Sequence, residues 1–325
     1  MDLVCLGEIL IDLFPAELGR RLAEVSAFLP KPGGAPANVA VAAARLGKKS
    51  AFIGQAGDDI FGHRLREILA GEGVDVRGLR FDPDRRTTLA FIAMPDEHSA
   101  EFVFYRNPGA DLGLLAEELD LALLASTRAF HCGSLSLVAE PARTATHTAL
   151  RLARQAGALI SFDVNYRPSL WQNPREALDC IWAVLPQVHL LKVNEKELEL
   201  LTGGGDPDNA APALLAKGPA LIAVTFGAGG SYFFTAKASG YVPAFQVLTV
   251  DAIGCGDAFM AGLLCQLVSE DDWRSELSAE HLQQVFRYAS AVGALTALKH
   301  GVIPALPTAD EVSAFLRTQE TGNRQ

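Results

Sequence analysis

Short apolar runs alternate with longer segments of helical period along most of the chain. The apolar runs predict strands at Leu3–Leu10, Ser50–Ile53, Ala129–His131, Ala158–Phe162, Val188–Val193 and Leu221–Thr225. Helices are predicted between them, including Asn38–Leu46 and Ile60–Ala70, the second with Asp58 or Asp59 as its N-cap. This alternation predicts an α/β fold with a mostly parallel central sheet and helices on both of its faces. The ligand crevice of such a sheet lies at the carboxyl ends of its strands.

Two segments, Leu13–Leu29 and Thr87–Tyr105, lack a good helical period. The second is interpreted as two strands, Thr88–Met94 and Ala100–Tyr105, joined by the turn-prone residues Pro95–His98. Both segments are expected to leave the main sheet and to form a small β-sheet lid over one end of it. The resulting division has a core of residues 1–12, 31–86 and 107–325 and a discontinuous lid of residues 13–30 and 87–106.

Composition narrows the classes of partner. The chain has 325 residues, 49% of them hydrophobic, and a formal net charge of -10, so that an acidic surface would repel nucleic acid. Five scattered cysteines are typical of reduced thiols in a cytoplasmic protein. Asp2 and Glu8 lie where a signal peptide would need basic and then apolar residues, and no uncharged apolar run is long enough to span a membrane. The tail Thr318–Gln325 is expected to be loose.

The run Val250–Phe259 places Asp257 directly behind a turn that contains Gly254 and Gly256, and an apolar helix is predicted to follow. Exposed backbone amides and the positive end of a helix dipole together form a binding site for an anion. A carboxylate held against such a site suits proton abstraction from a hydroxyl that attacks a phosphate. The alternative is an ordinary glycine-rich loop with Asp257 as a helix N-cap.

Two further groups of residues are candidates for binding a polyhydroxylated ligand. Gly33 and Gly34 permit close approach of the backbone, and Asn38 offers both a donor and an acceptor. Asp12 follows the first strand, where aspartate is a poor strand former. The alternatives are a tight turn capped by Asn38 and a strand end capped by Asp12.

Other polar residues follow the later strands. Asn194 and Glu197 lie three residues apart after Val188–Val193 and would share a helix face, where they could hold Mg²⁺ through water. Thr225, Gly227 and Gly230 follow Leu221–Thr225 and would let a nucleotide approach the backbone. The alternatives are an N-capped surface helix for the first pair and a hairpin turn for the glycines.

Taken together, these motifs resemble those of the PfkB (ribokinase-like) family of sugar kinases. Both signature regions of that family are matched, by Gly33–Ala40 near the start and by Asp251–Phe259 near the end. Gly7–Asp12, Phe52–Gly54 and Phe104–Asp111 resemble most closely the fructokinase branch. The likeness covers nearly the whole chain and implies a ribokinase-like fold.

The resemblance also implies a role for each candidate residue. Asp257 would be the catalytic base, and the backbone of Gly254, Cys255 and Gly256 would form an anion hole for the transferred phosphoryl group. The sugar would be bound by Asp12, Gly33, Gly34, Asn38 and Arg167 and, from the lid, by Tyr105 and Arg106. ATP and its Mg²⁺ would be bound by Asn194, Glu197 (through water), Thr225, Gly227 and Gly230. Asp251 would lie at a K⁺ site.

The second signature region departs from the family pattern at three positions. Ala252, Ile253 and Cys255 stand where the family has Thr, Thr and Ala. Lost hydroxyls could weaken phosphate or K⁺ contacts, although backbone amides would still bind the anion. Cys255 is either a reactive thiol, because a helix N-terminus lowers thiol pKa, or a small packed side chain.

The expected function is therefore ATP-dependent phosphorylation of a primary sugar hydroxyl, with fructose as the sugar and fructose 6-phosphate as the product. Alternatives are a 2-keto-3-deoxygluconate kinase, a nucleoside kinase and a non-catalytic relative that binds sugar or partners as a regulator. The choice between fructose and 2-keto-3-deoxygluconate depends on whether a cationic side chain binds a substrate carboxylate. Because Arg106 and Arg167 are both candidates for that cation, the choice stays open. A homodimer formed through the lid is expected.

Overall fold

A computed structural model describes residues 1–96, 99–270 and 272–322. Its larger sheet contains nine strands: β1 (Leu3–Leu6), β4 (Ser50–Gly57), β5 (Asp75–Asp82), β8 (Ala129–Gly133), β9 (Leu159–Asp163), β10 (Leu190–Asn194), β11 (Leu221–Thr225), β12 (Ser231–Phe234) and β13 (Ser239–Val242). Their spatial order is β13-β12-β11-β10-β9-β8-β1-β4-β5. Strands β11 to β5 in that order are parallel, and only the edge strands β12 and β13 are antiparallel. The parallel strands read as continuous apolar runs because both faces of the sheet are buried.

Ten helices of the described chain cover this sheet: α1 (Ala35–Arg45), α2 (Ile60–Gly71), α3 (Leu121–Ser126), α4 (Ala142–Gln155), α5 (Pro174–Val184), α6 (Glu195–Thr202), α7 (Pro207–Leu215), α8 (Cys255–Leu267), α9 (Ala279–Thr296) and α10 (Ala309–Gly322). Helices α1, α2, α8, α9 and α10 contribute to the apolar core on one face of the sheet. Helices α3 to α7 contribute to the core on the other face. The predicted α/β fold with helices on both faces is confirmed.

The smaller sheet is the predicted lid. It consists of β2 (Leu10–Pro15), β3 (Phe28–Gly33), β6 (Leu89–Asp96) and β7 (Ser99–Tyr105), in the order β3-β2-β6-β7. Its strands reach Leu10 and Gly33, outside the predicted lid range of residues 13–30. A small apolar cluster of Phe14, Ile92 and Val302 packs the lid against the core.

Some details differ from the sequence-based expectations. The single strand predicted over Leu3–Leu10 is wrong, because the chain leaves the main sheet at Gly7 and enters the lid at Leu10. A side chain at Gly7 would come within 2.6 Å of the Pro36 ring, so that glycine is needed where the chain turns away. Of the tail Thr318–Gln325 that was expected to be loose, the part up to Gly322 is helical, which contradicts the expectation for that part, and residues 323–325 lie outside the described residues.

Other details agree, or lie outside the described residues. Asp59 is the N-cap of α2 and accepts hydrogen bonds from the amides of Phe61 and Gly62. Of the two predicted N-caps, Asp58 and Asp59, the second is therefore confirmed. Pro95 and Asp96 belong to β6, whereas Glu97 and His98 of the predicted turn lie outside the described residues. None of the helices in the described part of the chain combines the length and apolar character needed to cross a lipid bilayer.

Candidate active site

The carboxyl ends of the parallel strands converge with the start of α8. Asp163, Asn194 and Thr225 are the last residues of β9, β10 and β11, which are neighbours in the sheet. They line a cavity of about 380 Å³ that also contains Asp257. The cavity therefore lies where the alternating pattern predicted the ligand crevice.

Helix α8 begins at Gly254, which is its N-cap and has a φ of 81°. A side chain at this position would be strained, and its Cβ would also collide with Val302. Asp257 lies inside the first helical turn, so the alternative in which Asp257 is the N-cap is wrong. Amides of a first turn have no intrahelical acceptor, and those of Gly256 and Asp257 are available to an anion.

Asp257 is half-buried beside Asn38, which comes from α1 and whose Nδ2 donates to Asp257 Oδ2 at 2.8 Å. Burial raises the pKa of Asp257 to about 6, although the hydrogen bond from Asn38 lowers it, and the charge of Asp163 raises it further. A carboxylate with this pKa is ionised at neutral pH and is still basic enough to accept a proton. The geometry thus favours a functional Asp257.

The paired glycines shape the wall beside Asp257. Gly34 has a φ of 109°, and a side chain there would collide with the carbonyl oxygen of Glu8. The missing side chain of Gly33 leaves space for the Asp12 carboxyl group. Asp12, Gly34 and Asn38 all line the cavity, whereas Gly33 acts through its contact with Asp12. Burial, followed by the charge of Asp257, raises the pKa of Asp12 to about 8.

The lid residues do not all lie where the resemblance implied. Tyr105 is 63% exposed and packs on the ring of Phe91. Arg106 forms a buried ion pair with Asp111 and donates to the carbonyl oxygen of Leu135. Neither of these two residues contributes to the described cavity wall.

Phe102 and Phe104 of β7 line the cavity instead of Tyr105. Side chains alternate along a strand, so residues 102 and 104 face the site and residue 105 faces away. Arg167 also lines the cavity, with its guanidinium group 5.6 Å from the centroid of the Phe102 ring. The alternation of Phe102 and Phe104 is the signal in the sequence that would have identified them.

A buried ion pair at the base of the cavity was missed in the sequence. Lys192 Nζ lies 2.7 Å from Asp163 Oδ2. Burial lowers the pKa of Lys192, but the charges of Asp163 and Glu197 outweigh this and raise it. A Cβ on Gly256 would lie 3.3 Å from Lys192 Nζ, so the ammonium group sits beneath the anion-binding turn. The signal in the sequence that would have identified this pair is a lysine inside an otherwise apolar strand.

Asn194 and Glu197 form a capping box at the start of α6. Asn194 Oδ1 accepts from the Glu197 amide, and the Glu197 carboxylate accepts from the amides of Asn194 and Tyr166. The helix is therefore N-capped as in the alternative interpretation, but Glu197 is buried and both residues line the cavity. Each carboxylate oxygen retains a lone pair for water, which fits Mg²⁺ bound through water.

A second cavity, of about 280 Å³, lies on the other side of the anion-binding turn. Thr225, Gly227 and Gly230 line it together with Cys255. The glycines form the hairpin between β11 and β12 that the alternative interpretation required, and a Cβ on Gly230 would come within 2.5 Å of a carbonyl oxygen. Gly256 lines both cavities, so the two meet at the start of α8.

Asp251 and Cys255 complete the turn. The Asp251 carboxylate accepts from the amides of Ile253 and Gly301 at 3.0 Å each and so joins two loops. A K⁺ site at Asp251 stays a prediction.

Burial, with the charges of Asp251 and Asp257, raises the pKa of Cys255 to about 12. This favours the packed rather than the reactive alternative for that thiol.

The raised pKa of Asp12 predicts a pH-dependent loss of stability. A group whose pKa is higher in the folded state destabilises the fold as pH rises from its unfolded value, near 3.8, to about 8. We expect Asp12→Asn, which has the same shape and no charge, to unfold at a higher temperature than the wild type at pH 8. The gain should shrink towards pH 4. Thermal unfolding scans of both proteins across this range measure it, and an equal difference at every pH would contradict the assignment.

The chain was compared with known proteins. Residues 1–309 match the model of the pfkB family of carbohydrate kinases. Over 317 residues the chain is 45% identical to "Probable fructokinase-2" of Arabidopsis thaliana. The matched region covers 97% of this chain and 96% of that protein.

Two solved structures also resemble it over nearly their whole length. A fructokinase from Xylella fastidiosa with bound ATP superposes with a TM-score of 0.90 at 35% identity, covering 98% of this chain and 99% of the other. A fructokinase double mutant from Vibrio cholerae in a fructose, ADP and potassium ion bound form has a TM-score of 0.87 at 32% identity, covering 97% and 98%. The chain belongs to the pfkB family of carbohydrate kinases.

Proposed function

We propose that this kinase transfers the γ-phosphate of ATP to the primary hydroxyl O6 of fructose. The observation that carries the proposal is the meeting of two cavities at the start of α8, where Gly256 lines both and the adjacent Asp257 lines the larger one. One cavity is rich in carboxylate and amide groups that suit sugar hydroxyls. The other is lined by glycine backbone and small apolar side chains that suit a nucleotide.

In this account, fructose lies against Asp12, Gly34 and Asn38, with Phe102, Phe104 and Arg167 across from them. Asp257 accepts the proton of the attacking hydroxyl, and the hydrogen bond from Asn38 fixes its orientation. The Gly254–Gly256 backbone and the Lys192 ammonium group stabilise the charge that develops on the phosphoryl group. Closure of the lid over the sugar excludes water and so limits hydrolysis of ATP.

Mg²⁺ would be held near Asn194 and Glu197 through water and the phosphates of ATP. When bound, the ion neutralises charge on those phosphates. The residues at the three altered positions of the signature, Ala252, Ile253 and Cys255, need not impair this arrangement, because the anion is bound by backbone amides. K⁺ at Asp251 would act on the loop that carries these amides, through the contacts of Asp251 with Ile253 and Gly301.

A coupled assay of ADP release tests the proposed substrate. Mg-ATP is offered with fructose, 2-keto-3-deoxygluconate, ribose, glucose or adenosine, with and without K⁺. We expect turnover with fructose to exceed that with every other acceptor by at least about tenfold, since lost hydrogen bonds to buried polar groups are costly. A reaction without any acceptor measures ATP hydrolysis and is the control.

Preferred turnover of the keto acid would contradict fructose as the substrate and assign Arg167 to its carboxylate. No turnover with any acceptor would contradict the kinase activity and favour the regulatory alternative.

A cytoplasmic location stays a prediction of the sequence.

We further propose that two copies of the chain pair through their lids. In its described part the lid carries large exposed apolar side chains, Leu18, Leu29, Val103 and Tyr105, and β7 is an edge strand of its sheet. Edge strands with exposed apolar groups are commonly covered by another chain. We expect Val103→Lys to shift the mass measured by light scattering from dimer to monomer. A monomeric wild type at micromolar concentration would contradict the proposal.

A further inference from the structure

Glu8 is a buried carboxylate between β1 and β2, on the wall of the larger cavity. It is 3% exposed and lines the same cavity as Asp257. Its Oε1 accepts a hydrogen bond from the amide of Ala35 at 2.9 Å, at the start of α1. Its Oε2 is buried and has no hydrogen-bond partner among the described residues. Half of this carboxylate is therefore satisfied by the protein and half is not.

An unsatisfied buried carboxylate oxygen costs free energy, so that a partner for it is expected. Arg106 is the positive charge that acts on Glu8, but it forms no hydrogen bond or ion pair with it. Its Nε and Nη2 donate to Asp111 and to the carbonyl oxygen of Leu135, and its Nη1 is buried without a partner among the described residues. That charge lowers the pKa of Glu8, but burial is stronger and raises it to about 7. A donor group on a ligand in the cavity that Glu8 lines would satisfy this oxygen.

Asn38 has a matching feature. Its Nδ2 donates to Asp257, and its Oδ1 is buried without a partner among the described residues. Two acceptors in one cavity wall, each short of a donor, suit a ligand that carries several hydroxyl groups. Asp257 already faces the hydroxyl that is phosphorylated, so Glu8 would meet a different one.

We propose that Glu8 is a sugar-binding residue, whose Oε2 accepts a hydrogen bond from a hydroxyl of the acceptor other than the one that is phosphorylated. This assignment rests on the proposed sugar kinase function. It makes Glu8 a determinant of which sugar binds, since a sugar that lacks that hydroxyl leaves a buried carboxylate oxygen unpaired.

The test compares Glu8→Gln with the wild type. The amide keeps an oxygen for the Ala35 amide and replaces the second oxygen by a donor. We expect the KM for fructose to rise roughly 10- to 100-fold, as for the loss of a hydrogen bond to a charged group, with the KM for ATP within about twofold. Glu118→Gln, which alters another carboxylate that accepts a backbone amide, is the matched control and should behave as the wild type.

Fructose analogues that lack the hydroxyl at C1, C2, C3 or C4 identify the partner. We expect one analogue to lose affinity in the wild type and to lose almost none further in Glu8→Gln, the non-additivity that marks a direct contact. If Glu8→Gln does not fold, as judged by its thermal unfolding, Glu8→Asp replaces it in the same comparison. Equal penalties for every analogue in both proteins would overturn the assignment.

The outcomes separate this inference from the proposed function. A wild type that phosphorylates fructose, together with a Glu8→Gln variant of unchanged KM, would overturn the role of Glu8 and leave the function intact. It would show that Glu8 only supports the turn at Ala35. A wild type without activity on fructose would overturn the proposed function, and the assignment of Glu8 with it.

Discussion

Burial of several carboxyl groups around the N-terminus of α8 is the constraint on which the site depends. Glu8, Asp12 and Asp257 all have raised pKa values because burial disfavours their charged forms. Such a cluster is unfavourable for the fold alone, and few charges are present to offset it. Lys192 and Arg167 supply positive charge, and the α8 dipole adds to it. Such a site lowers the stability of the fold in favour of reactivity. Binding of ligand hydroxyls and Mg²⁺ would reduce the free-energy cost of the buried carboxyl groups.

The topology explains why these groups meet. Neighbouring parallel strands end at one edge of the sheet, which brings Asp163, Asn194 and Thr225 together without any local motif. The break at Gly7 then sends the chain from the core into the lid, so Glu8 lies between the two sheets and Asp12 lies near the start of the lid strand β2. The second excursion, through β6 and β7, brings Phe102 and Phe104 to the cavity wall. One short segment, from Gly7 to Asp12, therefore joins the core, the lid and the wall of the cavity.

Much of this arrangement was predictable from the sequence. The strand and helix periods predicted six of the nine strands of the larger sheet, the helices on both of its faces and the lid, but not β5, β12 or β13 at the edges of the sheet. The glycine motifs located Asn38 and Asp257. The roles of side chains in the lid were less predictable. Tyr105 and Arg106 fit the resemblance by position, but the register of β7 turns Tyr105 outwards, and Asp111 binds Arg106. Strand register and the choice of an ion-pair partner are set by tertiary packing, which local patterns do not contain.

The central claim is that Asp257 is the base, and kinetics of Asp257→Asn test it most directly. The variant keeps the shape of the side chain and an oxygen for Asn38, but it accepts no proton. Rapid-quench single turnovers with saturating ATP and fructose should slow by about 10²- to 10⁴-fold, while the Kd for fructose stays within a few-fold of the wild type. A turnover rate close to that of the wild type would contradict the account.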